Sequence, residues 1–120
     1  MQQKFTIKKS SELIREYGKW ILVRKSLGLS SFGMNIVELA PGQTIPEHTE
    51  VKRDHEEVFY ALRGTATVVI DGVDYEAPEG TFIRLDPEPQ RFTRNDTKEP
   101  ISVLIISAPR TSGYEPLDWA

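Results

Sequence analysis

The sequence predicts an all-β domain, an antiparallel sandwich or small barrel, and a few observations carry that expectation. Short runs rich in β-branched and aromatic residues recur along the chain, separated roughly every eight to twelve residues by turn signals. One of these signals, "IDGV" at Ile70–Val73, sets an Asp-Gly pair between apolar residues, the pattern of a two-residue hairpin. Only one segment has the spacing of a helix. Many short strands with regular reversals and little helix make a sandwich or a barrel.

In chain order, "SELIREYG" over 11–18 predicts the one short N-terminal helix, with Ser10 or Ser11 as its cap and Gly18 as its stop. Strands are expected over Trp20–Leu27, Phe32–Leu39, Glu57–Leu62, Ala66–Ile70, Val73–Tyr75, Phe82–Leu85, Arg91–Arg94 and Ser102–Ala108. The segments between them, "APGQ", "RGT", "DGV", "PEG", "DPEP" and "NDTKEP", carry the Gly, Pro, Asn or Asp of a tight reversal. The closing "TSGYEPLDWA" falls outside the strand pattern and is expected to be a tail, its Tyr114 and Trp119 packing on the body or on a second subunit. No repeat or linker interrupts the chain. Its 120 residues therefore suit a single domain: a barrel over about 20–108, an N-terminal arm over 1–19 and a C-terminal tail over 109–120.

Bulk composition excludes several function classes. Cysteine is absent, which rules out a disulfide framework, a thiolate metal site and a cysteine nucleophile. The net charge is −3 with the two signs interspersed, whereas nucleic-acid binding needs a basic face. Apolar runs such as "VLIIS" near residue 105 are far too short to span a membrane, and "MQQKFTIKKSSE" lacks the apolar core of a signal peptide. A soluble cytoplasmic domain is expected, with neither nucleic acid nor membrane as a partner.

The chemistry-bearing residues concentrate in "PEHTEVKRDHEEVFYALRG", 46–64, which holds both histidines of the chain. On a strand, residues two apart share a face, so His48 and Glu50 point together, as do His55 and Glu57. If 47–50 and 55–58 lie on adjacent strands, all four converge inside the barrel. Imidazole with carboxylate suits Fe, Mn, Ni or Zn. The same stretch is highly charged, and such runs are ordinarily solvated loops, so a surface role stands beside the metal one.

"PGQTIPEH…EEVFYALRG" followed by "GTFIRLDPEPQRFTRN" resembles the two motifs of small single-domain cupins. The first family motif runs Gly, five residues, His-x-His, three or four residues, Glu, six residues, Gly. Gly42 to His48 and Glu57 to Gly64 fit both ends of it. The second, Pro-x-Gly-x-x-His-x-x-x-Asn, falls on 86–95 and ends at Asn95. The resemblance implies a jelly-roll β-barrel of six to eight or more short antiparallel strands, usually a homodimer, with its site inside. The departures concern the metal. Glu50 stands where the second histidine is expected, "VKRD" is a short insertion, and Arg91 takes the second motif's histidine position. Arginine has no lone pair to give a cation. By position, His48 and Glu57 remain as ligands, with Glu50 and His55 as substitutes.

Two functions follow. In the first, a degenerate metal site leaves a barrel that binds a small, anionic organic ligand. Arg91 anchors it, Phe59, Ala61 and Phe92 line the cavity, and Met34, Ile36 or Tyr60 join them depending on register. Arg91 could equally form a salt bridge with Glu57. In the second, His48, Glu50, His55 and Glu57 hold a divalent Fe, Mn, Ni or Zn in an enzyme of oxygenase or isomerase type.

Overall fold

Alternation of apolar and polar side chains decides which face of each strand is buried, and in the computed structural model, which describes residues 4–120, those faces meet between two antiparallel sheets. The strands are β1 (Ile14–Glu16), β2 (Trp20–Leu22), β3 (Gly33–Leu39), β4 (His55–Arg63), β5 (Ala66–Ile70), β6 (Val73–Ala77), β7 (Phe82–Leu85), β8 (Arg91–Arg94) and β9 (Ile101–Pro109). One sheet has six strands in the order β1-β2-β3-β9-β4-β7, the other three in the order β6-β5-β8. The three-stranded sheet is extended by residues 44–48, bridged to β8 at Thr44↔Arg94 and His48↔Arg91. Pro46 lies between those bridges and has no N–H to give a regular ladder. The result is a jelly roll, as the resemblance to cupins implied and within the sandwich or barrel that the strand pattern predicted.

The interior is apolar at its centre. Val37 and Leu39 from β3, Phe59 and Ala61 from β4, Val68 from β5 and Val103 from β9 are all buried there. The "IDGV" hairpin forms as expected: Ile70 pairs with Val73, and Asp71 and Gly72 both take positive φ (49° and 79°). Gly64 has φ 70°, and a Cβ there would stand 2.8 Å from Ile101 Cγ2. This glycine lets β4 turn hard against β9.

The N-terminal quarter differs from expectation. No helix forms over 11–18; Ser10–Glu12 is a single 3-10 turn, and β1 and β2 pair through a reversal at Tyr17 and Gly18. A lone helix of that length is marginal, whereas β1 gains a ladder by adding to a sheet edge. The paired sheet therefore begins at Ile14, inside the segment assigned to the arm. The short helix of this region is instead α1 (Val23–Leu27), where the strand Trp20–Leu27 was expected to continue. Ser26 turns the chain, its hydroxyl donating to Leu22 O (2.6 Å) while accepting from Ile14 N (2.9 Å). In the tail, Tyr114 and Trp119 are exposed in the monomer. Among the described residues no helix is long and apolar enough to cross a membrane.

Candidate functional site

Inward-facing positions of neighbouring strands line up across the six-stranded sheet. Asn35 pairs with Ile105 and Ile105 with Phe59, while Gly33 pairs with Ser107 and Ser107 with Glu57. From the opposite sheet, residues 45–50 run over these rows. Between them lies a cavity of about 430 Å³. Trp20, Ile45, Phe59 and Ile105 form its apolar walls, and Asn35 and Ser107 add polar groups. The charged lining consists of His48, Glu50, Arg53, His55 and Glu57.

Three of the sequence candidates come together. His48, Glu50 and Glu57 each bring a ligand atom to within 4.8 Å of the others. The segments that carry them are not adjacent strands, as the spacing argument supposed. His48 is bridged to Arg91 by a reciprocal pair of backbone hydrogen bonds (2.9 and 3.0 Å), whereas Glu57 lies on β4 in the other sheet. Residues 51–54 form the turn between them, so the residues converge across the barrel rather than along one ladder. His55 shares the inward face of β4 with Glu57, but its Nδ1 comes only to 3.9 Å from Glu50 Oε2 and it stands outside the three-residue group.

The donor chemistry of this group is lopsided. His48 Nδ1 lies 2.9 Å from Pro46 O. A carbonyl only accepts, so Nδ1 carries a hydrogen, and the ring turns Nε2 towards Glu50 Oε1, 3.2 Å away. Glu57 is 6% exposed, and its Oε1 is buried without a hydrogen-bond partner. Burial, with the Glu50 carboxylate beside it, pushes Glu57 up to about 7 against the opposing pull of Arg91 and His48. Two carboxylates thus crowd one imidazole, and a proton or a cation between the carboxylates relieves their repulsion. One imidazole and two carboxylates fit a divalent cation.

Arg91 behaves otherwise than a ligand anchor. It is fully buried (0% exposed) and does not line the cavity. Its Nη1 donates to Pro87 O (3.2 Å) and its Nη2 to Asp86 O, so the guanidinium holds the loop before β8. Its Nε stands 3.6 Å from Glu57 Oε1, an ion pair too long for a hydrogen bond. Ala61 is core, and Phe92 is partly buried and packs against the core; neither lines the cavity, whereas Phe59 does. Register settles the remaining candidates. Asn35 and Val37 face inward, Met34 lines a groove on the outer face, and Tyr60 stacks on Phe82 on that same face, with ring centroids 4.3 Å apart. Asn95, which ends the second motif, is structural. It donates to Leu39 O and Glu99 O and accepts from Thr97.

The lining residues missed from sequence are the apolar Trp20, Ile45, Pro46 and Ile105 and the polar Asn35, Ser107 and Arg53. The alternation of β3 and β9 could have placed Asn35 and Ser107 inward once the register was known. Arg53 carried no such signal.

A sequence model of the cupin domain family matches residues 35–107. No curated protein matches the chain. Among solved structures, a cupin protein from Bacteroides fragilis superposes with a TM-score of 0.80 at 21% identity, over 98% of this chain and 94% of that one. A protein with a double-stranded β-helix domain from Klebsiella pneumoniae gives 0.70 at 20% identity, over 93% and 95%. A sugar phosphate isomerase from a cupin superfamily, from Silicibacter pomeroyi, gives 0.65 at 22% identity, over 74% of this chain and 57% of that one. At these identities the likeness is one of fold.

Proposed function

This chain belongs to the cupin family, and we propose that its barrel interior holds a divalent cation on His48, Glu50 and Glu57 beside a small organic ligand. One observation carries the reading: His48 Nε2, the ring nitrogen not engaged by Pro46, stands 3.2 Å from the Glu50 carboxylate, while buried Glu57 Oε1 has no hydrogen-bond partner. The hydrogen bond that fixes His48 Nδ1 is also what orients imidazole ligands elsewhere. A bound cation would supply Lewis acidity to an oxygen of the ligand. The chain's own residues do the rest: Phe59 and Trp20 exclude water from one side, and Asn35 and Ser107 offer hydrogen bonds to the ligand.

A metal-free binding site is the second reading, and the approach of Arg91 to Glu57 favours it. A cation at 3.6 Å already balances part of the buried carboxylate charge.

Elemental analysis of the protein purified without chelator or affinity tag decides between them. Near one equivalent of Fe, Mn, Ni or Zn per chain is expected. Glu57→Gln should lower affinity for that ion at least tenfold, and His55→Ala should leave occupancy close to wild type. Metal far below one equivalent, with no uptake when these ions are added, selects the metal-free reading.

A further inference from the structure

The cavity contains one guanidinium that the fold does not use. Arg91 is engaged with Asp86, Pro87 and Glu57. Arg110 is consumed by Asp54 (Nη2 to Oδ1, 2.7 Å) and Glu88 (3.1 Å). Arg53 lines the cavity, is exposed at its mouth, and forms no ion pair among the described residues.

Its position is built. Arg53 sits in the 51–54 turn, closed by hydrogen bonds from Asp54 N to Val51 O (3.2 Å) and from His55 N to Glu50 O (3.2 Å). The next residue, Asp54, holds φ 52° and is gripped by Arg110 through Nε and Nη2 (3.0 and 2.7 Å) and through Arg110 N to Asp54 O (3.1 Å). A turn clamped this way presents Arg53 at one place on the rim. Glu50, whose carbonyl closes that same turn, and buried Glu57 are the acidic members of the lining, and Arg53 is its one guanidinium.

We propose that Arg53 binds the carboxylate or phosphate of the cavity's ligand, so that the ligand is a small organic anion held by its charged end at the mouth. The inference rests on the reading of the barrel interior as a ligand site. Charge distribution decides the orientation. A planar guanidinium fork matches either anion, whereas an anionic group beside Glu50 and Glu57 would meet like charge. A cavity of about 430 Å³ suits a metabolite-sized skeleton along Trp20, Ile45 and Phe59.

The test is isothermal titration calorimetry of the intact protein, as purified without chelator, with inorganic phosphate, glycerol 3-phosphate and succinate. At least one should bind at millimolar or lower concentration. Arg53→Gln should weaken that binding tenfold or more, and Arg53→Lys should restore part of it. Arg63→Gln, the same charge change on an exposed residue outside the cavity lining, should stay within twofold. A preference for glycerol 3-phosphate over succinate, or the reverse, identifies which anionic group is read. No binding of any of the three, or Arg53→Gln within twofold of wild type, overturns the proposal. Metal content of the same samples keeps the two readings apart: normal metal with unaltered anion binding rejects Arg53 alone, and absent metal rejects the cation site alone.

Discussion

A single carboxyl, Glu57, shows how burial rather than residue type sets behaviour. The neighbouring Glu56, on the outer face of β4, is exposed and pairs with Arg84 at the surface. Glu57 is raised to about 7, first by burial and then by Glu50. In metal-free protein the folded state therefore keeps its proton to a higher pH than the unfolded chain does, and stability falls as pH rises from about 4.5 to about 7. The full loss is on the order of 3 kcal/mol. Urea midpoints measured in chelator should drop from pH 5 to pH 8, and Glu57→Gln should flatten much of that slope. Cation affinity should run the opposite way, since the ligand must lose its proton. His48 and Glu57 were legible in the sequence because their spacing from Gly42 and Gly64 matches the first motif of the family the chain resembles. Arg91 was legible as a position but not as a direction: its long side chain reaches back to carbonyls a few residues earlier, and no periodicity encodes that reach. Arg53 was invisible because a charged turn has the composition of any solvated loop.

Elements were legible where local chemistry and tertiary context agree. β5, β7 and β8 fall where the β-branched runs predicted, and Asp71-Gly72 makes the hairpin its sequence demands. The N-terminal segment failed because its few residues have a weak propensity either way, and pairing at a sheet edge decided the outcome. Gly64 shows what an element owes to its neighbour. Gly64→Ala should cost about 2–3 kcal/mol, the left-handed backbone penalty of ~1–2 kcal/mol plus the collision with Ile101. Gly72→Ala, with open space around its Cβ, should cost only the backbone part. Urea unfolding of the two variants separates the terms, and equal losses would mean that β9 gives way to the added methyl.

For the whole molecule, family membership leads to the expectation of a homodimer. Sedimentation equilibrium at micromolar concentration should return twice the chain mass, and a single-chain mass would remove the expectation. The sequence alone determined the architecture, because alternation, turn residues and motif spacing are local signals that survive in one dimension. Through the resemblance to the cupin motifs it also named His48 and Glu57 as residues that could meet. Only the tertiary structure decided what the site can do. It set His48 and Glu57 in opposite sheets, spent Arg91 on the loop before β8, and left Arg53 unpaired at the cavity mouth. Those outcomes depend on which side chains meet across the barrel, and contacts between segments far apart in the chain leave no period in the sequence that forms them.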